Sequence, residues 1–505
     1  MKISLLLSFF AFLAFSVFNM TPKQTLSDRN YPEYLSYWKE VEQFQAQGLI
    51  DDALQKIEII YKLAIQDENH PQIYKCLLSI EALQFQKDEA GQQGIILRLE
   101  KSLKDLKEPS ASLLKSVLGQ LYFNFNQYGY GRNSKTNIAG EEQDTTDINT
   151  WSPTKMIAKA NDYYLQSIQN TSLDKESTKD YSSILYYQKD SLIRPSLYDL
   201  LLYRAIDHFK NSTTQLSDFN LSIPKEIQFA NLDDFLNANV KSHQVFQLYQ
   251  DVILKNKTNN NVEALIDANL NRLKYAHSLN VSKLDQTLYL NALTNFFQEY
   301  SRYDAAAQVQ IEIANYYMNM GVQEMNNSLG DQKTNLIKVD SICNDLIKRY
   351  PKSNWVSHAQ LLKQNIRTQN LKVSIEDAYL IQKPIKFLLA HRNISKAFFR
   401  LYKMPFHSIN DSYEVNQDNL EEQLKKFSSV KEWEESWPAS SDFMEHSVEL
   451  KLDGLKSGQY YLMVNNSKDI TSANILQGGA FQVSNLAALK YQMDNQFDKI
   501  IVVNR

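Results

Sequence analysis

Cysteine is nearly absent from this sequence: 505 residues contain only Cys76 and Cys343. Two cysteines make no disulfide framework. Both fall at apolar positions of helical patterns, where a thiol packs as a small hydrophobe. Glycine (13) and proline (11) are also sparse, which argues against a chain built mainly of loops or of β-structure. A basic excess is missing too. The net charge of −4 and pI near 6.1, with no Lys/Arg block interleaved with aromatics, give no nucleic-acid footprint. Beyond the first twenty residues no run is long and apolar enough to span a bilayer.

Motifs that carry chemistry are equally lacking. There is no phosphate loop, dinucleotide glycine pattern, His-Glu-x-x-His, paired Cys-x-x-Cys or Gly-x-Ser-x-Gly elbow. The eight histidines, among them His208, His277, His391 and His446, are scattered without metal-ligand spacing. Asp207 and His208 lie near Arg204, but neighbours i and i+1 on a helix do not face each other. A packed joint histidine is therefore expected there. Between Gln127 and Trp151 the helical pattern stops, and Glu141, Glu142, Asp144 and Asp147 cluster. They lack the alternating carboxylate ladder and closing Glu of a calcium loop, so a solvated loop is expected. No catalytic residue, metal ligand or cofactor is assigned, and the chain is read as a non-enzyme without a small-molecule substrate.

What is present is ordinary globular material, 43% hydrophobic and 22% charged, long enough for about three to four domain-sized units. Lys2 followed by an apolar run from Ile3 to Phe18 has the pattern of a secretory signal over residues 1–19. The run is shorter than the roughly 20 residues that span a membrane. Export to the periplasm or cell envelope is expected, with membrane association only through this segment.

From Tyr31 onward apolar residues recur every three or four positions, the period of an amphipathic helix. Ala53, Ile57, Ile60 and Ala64 form one stripe, and Gly48 with Asp51–Asp52 marks the turn before it. Trp38, Gly48 and Ala53 resemble a tetratricopeptide unit. Ser152 and Pro153 read as N-cap and first helical residue, and Pro195 opens another helix with Leu197, Leu201 and Ala205 inward. A less regular span follows to about Leu236. Asn259–Asn261 reads as a turn. Tyr289, Leu293 and Phe296, then Leu336, Val339, Cys343 and Leu346, continue the stripes. Arg349-Tyr350-Pro351-Lys352-Ser353 separates two helices. Arg194, Asp199 and Arg204 are expected in ion-pair joints between helices, since nothing nucleophilic accompanies them.

Between Arg367 and Pro384 the period changes from 3.6 to two. Leu371, Val373 and Ile375 alternate, so a strand should begin with little linker. Ala397, Phe399 and Leu401 do the same, and Val448–Leu452 with Tyr460–Val464 predict a hairpin across Lys456-Ser457-Gly458. Phe481–Val483 and Ile500–Val503 add strands. Residues 416–444, with Trp433 and Trp437, read as a polar insert. The expected organisation is a helical domain over 30–258, tetratricopeptide-like repeats over 259–370, a β-sandwich over 371–496, and a further strand or truncated domain from 497.

The order of several short motifs resembles the N-terminal part of the large alpha-2-macroglobulin-like proteins of Bacteroidetes. They are Asp147–Trp151; Arg194-Pro195-Ser196-Leu197-Tyr198-Asp199 with Arg204; Glu263–Asp267 with Arg272-Leu273-Lys274; Leu455-x-x-Gly458-x-Tyr460; and Phe481-x-Val483-Ser484. The resemblance implies a helical, repeat-like region followed by an antiparallel macroglobulin-type β-sandwich, with Trp151, Arg194, Pro195, Tyr198, Asp199, Arg204, Asp267, Arg272, Gly458 and Tyr460 as structural motif residues. It further implies a protease-trapping inhibitor, whose complete chain carries a bait region and often a Cys-Gly-Glu-Gln thioester. Neither Cys76-Leu77-Leu78 nor Cys343-Asn344-Asp345 supplies that thioester. A scaffold or docking portion of such an inhibitor, from a truncated or split protein, is the expectation. The alternative is a standalone envelope module binding a protein partner through its helices.

Overall fold

The computed structural model describes residues 32–87, 91–128, 148, 151–181, 184, 193–213, 223–280, 282–326, 334–405, 427–469, 476–493 and 497–504. The expected signal segment and most of the acidic loop lie outside these residues. Among these residues the helices lie between Pro32 and Ile366 and the strands follow from Asn370. The chain divides into two compact units, Met1–Asn295 and Phe296–Arg505.

In the first unit, α1 (Pro32–Ala46), α2 (Ile50–Gln66), α3 (His70–Lys87), α4 (Gly91–Leu103), α5 (Ser110–Tyr128), α6 (Pro153–Ser167) and α7 (Leu197–Thr213) are followed by two short helices, α8 (Lys225–Gln228) and α9 (Leu232–Asn237). Then come α10 (Gln244–Thr258), α11 (Val262–Leu279) and the start of α12 (Lys283–Tyr300). The predicted α2 stripe is fully buried at Ala53, Ile57, Ile60 and Ala64, each isoleucine contributing about 1.5–3 kcal/mol. Gly48 turns the chain into α2 with φ +74°, a conformation that glycine reaches without a Cβ penalty. Ser152 caps α6, its Oγ accepting from Lys155 N at 3.2 Å. Asn260 (φ +54°) and Asn261, which caps α11, make the turn after α10. The irregular span before Leu236 is corrected in part: α8 and α9 are helical, but too short to show a period.

In the second unit, α13 (Ala307–Asn326), α14 (Asn335–Arg349) and α15 (Val356–Ile366) share a core around Leu336, Val339, Cys343 and Leu346. The break after Arg349 is pinned by Tyr350, whose hydroxyl donates to Ser301 O at 2.5 Å. Three residues separate α15 from the first strand, β1 (Asn370–Ser374). The strands β3 (Ile385–Arg392) and β6 (His446–Leu452) complete a three-stranded sheet ordered β1-β3-β6. A five-stranded sheet runs β2-β8-β7-β4-β5, from β2 (Ala378–Tyr379), β8 (Leu476–Val483), β7 (Gly458–Asn465), β4 (Lys396–Met404) and β5 (Ser429–Ser436). Both sheets feed one core, Leu371, Ile385, Phe387, Leu389 and Leu452 from the first meeting Phe399, Leu401, Leu462, Val464 and Phe481 from the second. All pairings in these two sheets are antiparallel except the two-residue contact of β2 with β8. Strands β9 (Leu486–Met493) and β10 (Phe497–Asn504) form a separate hairpin.

Two strand-level expectations are corrected. Val448–Leu452 and Tyr460–Val464 do not form a hairpin: β6 pairs with β3, while β7 pairs with β4 and β8. The chain crosses between sheets at Gly454, where a Cβ would run into the Gln382 backbone, and Gln382 N donates to Leu455 O at 2.9 Å. Alternation marks strands but not their partners. The polar insert contains a strand as well, β5, at the edge of the larger sheet. Glu432 and Glu434 on its outward face are charged, as exposed edges tend to be, beside an exposed Val430. Trp433 stacks inward on Phe399, with centroids 5.0 Å apart.

Candidate functional site

The charged residues singled out in the sequence fall at three separate places in the first unit. Arg194, just before α7, reaches Asp267 on α11, its Nη2 donating to Oδ2 at 3.2 Å. The same carboxylate oxygen accepts from Tyr203 OH at 3.1 Å, and the Arg194 guanidinium lies over the Tyr203 ring at 3.7 Å. Burial, and then the Asp267 charge, push the Tyr203 hydroxyl well above its usual range. This phenol is a locked donor, not an acid.

Asp199 belongs to a different cluster. Its Oδ2 accepts from Ser196 N at 3.3 Å and Ser196 Oγ at 2.7 Å, which caps the first turn of α7. Its Oδ1 meets the Lys255 ammonium from α10, and that ammonium also bridges Asp174 at 2.5 Å and covers the Tyr198 ring. Two carboxylates and one lysine thus form an ion-paired joint between elements. Pro195 contributes its carbonyl, which accepts from Thr178 N at 2.9 Å.

Arg204, one helical face away, donates from Nε to Ser116 Oγ on α5 at 2.8 Å. Beside it His208 stacks on Tyr164 at 4.2 Å between centroids and shares a 2.6 Å hydrogen bond with Asn161. Burial pushes its pKa down to about 4, so near neutrality it is an uncharged packing residue. The expected joint histidine is what the helices contain. A polar crevice of about 160 Å³ opens here among Arg204, Asp207, His208, Tyr164 and their neighbours.

Arg272 is fully buried. It donates to Asn269 Oδ1 at 2.9 Å, to Gln228 O at 3.1 Å and to Ala230 O at 2.8 Å, and lies over Phe235 at 4.1 Å. Desolvation lowers its pKa to about 9. It satisfies the last carbonyl of α8, that of Gln228, which has no intrahelical partner, and that of Ala230 just beyond the helix. Trp151 stacks on Tyr122 at 5.8 Å and carries Lys155 over its face. In the β module, Tyr460 stacks on Phe481 and donates to Lys456 O at 2.9 Å, while Gly458 opens β7.

One trio has the composition of a hydrolase site. His446 Nε2 lies 3.0 Å from both Ser440 Oγ and Asp442 Oδ1. A relay needs the serine on one ring nitrogen and the carboxylate on the other; here both crowd the same nitrogen, within a turn. Among the described residues no group of three His, Cys, Asp or Glu side chains is placed to hold a metal. Both cysteines are free and buried; burial raises both thiols, that of Cys343 to about 11. The residues that complete these joints, Lys255, Asp174, Ser116 and Tyr203, carried no sequence signal, because their partners lie 56 to 88 positions away or belong to another element.

No protein-family model matches the chain, and no curated protein matches it. Among solved structures, native alpha-2-macroglobulin from Escherichia coli, spanning domains MG0-NIE-MG1, is 12% identical with a TM-score of 0.21. That match covers 27% of this chain and 45% of the other, so less than half of that structure is spanned. The CARDB domain of a Pyrococcus furiosus protein, solved in complex with di-metal ions, is 11% identical, with 23% of this chain and 92% of that one covered and a TM-score of 0.14. Its solution structure gives 10% identity, 23% and 93% coverage and a TM-score of 0.14. These are weak likenesses and assign no fold. The Bacteroidetes affinity read from the motifs has no counterpart among them.

Proposed function

We propose that this chain is a non-enzymatic scaffold or docking portion of a bacterial macroglobulin-type endopeptidase inhibitor, acting on proteins at the periplasm or cell envelope. The macroglobulin part of the reading rests on the succession of motifs in the sequence. The scaffold part is supported by one observation: the motif residues Arg194, Asp199, Asp267, Arg272 and Tyr460 are all consumed in holding elements together. Such residues preserve a shape rather than perform a reaction. The strands after Ile366 then correspond to a macroglobulin-type sandwich, and the helices before it to a tetratricopeptide-like docking array.

Incubation of the purified chain with a broad-specificity protease tests this. No SDS-stable adduct is expected, because neither cysteine has the Gly-Glu-Gln that follows a thioester thiol. Reversible association with an active-site-blocked protease is expected. A covalent adduct, or hydrolysis of a peptide or ester by the chain, would overturn the proposal.

A further inference from the structure

We propose that the crevice between α5, α6 and α7 is a binding site for a small free monocarboxylate, held by the Arg204 guanidinium. Its volume of about 160 Å³ is close to that of the engineered cavity of about 150 Å³ that admits benzene. There is room for a ligand of about six heavy atoms, the size of butyrate. Unlike that cavity, this one is lined by polar and charged groups.

Arg204 supplies the anchor. Its Nε is committed to Ser116 Oγ at 2.8 Å, which fixes the plane of the fork. Among the described residues, neither terminal nitrogen of Arg204 has a protein acceptor. A planar fork with its outer N–H groups open matches a carboxylate. The walls are fixed in advance. Gln120 is held at both ends, its Oε1 accepting from Tyr164 OH and its Nε2 donating to Asn124 Oδ1, each at 2.9 Å. The Tyr164 ring is pressed against Gly119, where a Cβ would lie 2.7 Å from it, and is stacked on His208. A ligand therefore meets a rigid site, which lowers the ordering cost of binding.

Charge selects the ligand class. Asp207, a turn along α7 and largely exposed, lines the same crevice. Its partner Lys210 lies over the Tyr249 and Tyr275 rings, so one guanidinium faces one carboxylate there. A single negative charge is favoured, whereas a phosphate dianion would bring a second charge towards Asp207.

Saturation-transfer NMR titration of the full chain with butyrate and with inorganic phosphate, at constant ionic strength, tests the site. Saturable butyrate binding is expected, tighter than that of phosphate. It should weaken at least tenfold in Arg204→Gln and tighten severalfold in Asp207→Asn, whose carboxylate is exposed and whose fold is not at risk. No saturable binding, equal affinity in folded Arg204→Gln, a preference for phosphate, or an unchanged affinity in Asp207→Asn would overturn the proposal.

Discussion

The side-chain amide of Asn393 donates to the carbonyl of Ile366 at 2.8 Å and to that of Thr368 at 2.9 Å, so the β3–β4 turn closes the end of the last helix. Arg392 adds a 3.2 Å bond from Nη2 to Ile366 O and a 2.9 Å bond from Nε to Phe443 O. The last carbonyls of a helix have no partner within it, and a cation there also complements the helix dipole. Met444 completes the contact by burying itself in the core of α13–α15. Inside the second unit the change from helix to strand is therefore a hydrogen-bonded joint.

Asn393 has φ +56°, a left-handed conformation that Asn tolerates better than most residues. Asn393→Gly keeps the turn but removes both bonds, and should cost about 1–2 kcal/mol. Asn393→Ala adds backbone strain of about 1 kcal/mol and should cost more. Urea denaturation orders the two, and hydrogen exchange should show the loss at residues 366–374. Equal stability of both variants and the parent would remove this joint from the account.

Asp267 is the second point of leverage. Its carboxylate serves Arg194, Tyr203 and, through Oδ1 at 3.1 Å, Asn271. Asp267→Ala strands a half-buried guanidinium and a buried phenol, for a loss of about 2–4 kcal/mol. Arg194→Met in the same chain should recover part of it, with a coupling above about 1 kcal/mol in a double-mutant cycle. Strict additivity would mean that the pair does not act as a unit.

The helical stripes and the change to strands were legible because burial imposes a period on nearby residues: Ala53 to Ala64 and Ala397 to Leu401 are inward as expected. Pairing was not legible. Whether β6 meets β7 or β3 depends on the crossing at Gly454 and on cross-strand contacts, neither of which leaves a local pattern. The edge strand β5 was hidden by its own charges. Arg194 and Asp199 were readable as ion-pair residues, although their partners Asp267 and Lys255 are remote in sequence. Arg204, by contrast, makes no ion pair among the described residues and instead donates to Ser116.

Acid should weaken the first unit through His208. The folded pKa, about 4, lies below the unfolded value near 6.5. Between the two, the unfolded chain binds more protons, so stability falls as the pH drops from about 6.5 towards 4. The full difference is at most about 3.5 kcal/mol, from about 1.4 kcal/mol per pH unit. His70 and His243 are lowered in the same direction by burial and add to the slope. His208→Phe keeps a ring against Tyr164 and should flatten the pH dependence of the melting temperature over this window. An unchanged slope would assign the acid sensitivity to other groups.

Tyr460 tests the β module separately. Its hydroxyl reaches back four residues to Lys456 O at 2.9 Å while its ring stacks on Phe481 at 5.6 Å between centroids. This is the geometry of a tyrosine corner, in which a phenol ties a strand to the loop feeding it. Burial raises its pKa, consistent with a hydroxyl that serves as a donor. Tyr460→Phe keeps the stacking and the apolar burial and removes only the tie, leaving the Lys456 carbonyl to water. A cost of about 1 kcal/mol is expected, since one neutral hydrogen bond is lost without a cavity. Tyr460→Ala loses the ring as well and should cost about 3–5 kcal/mol. Hydrogen exchange localises the effect: faster exchange in β7 and β8, with α1–α11 unchanged, is the expected result. If Tyr460→Phe matches Tyr460→Ala, the hydroxyl rather than the ring would be what holds this corner.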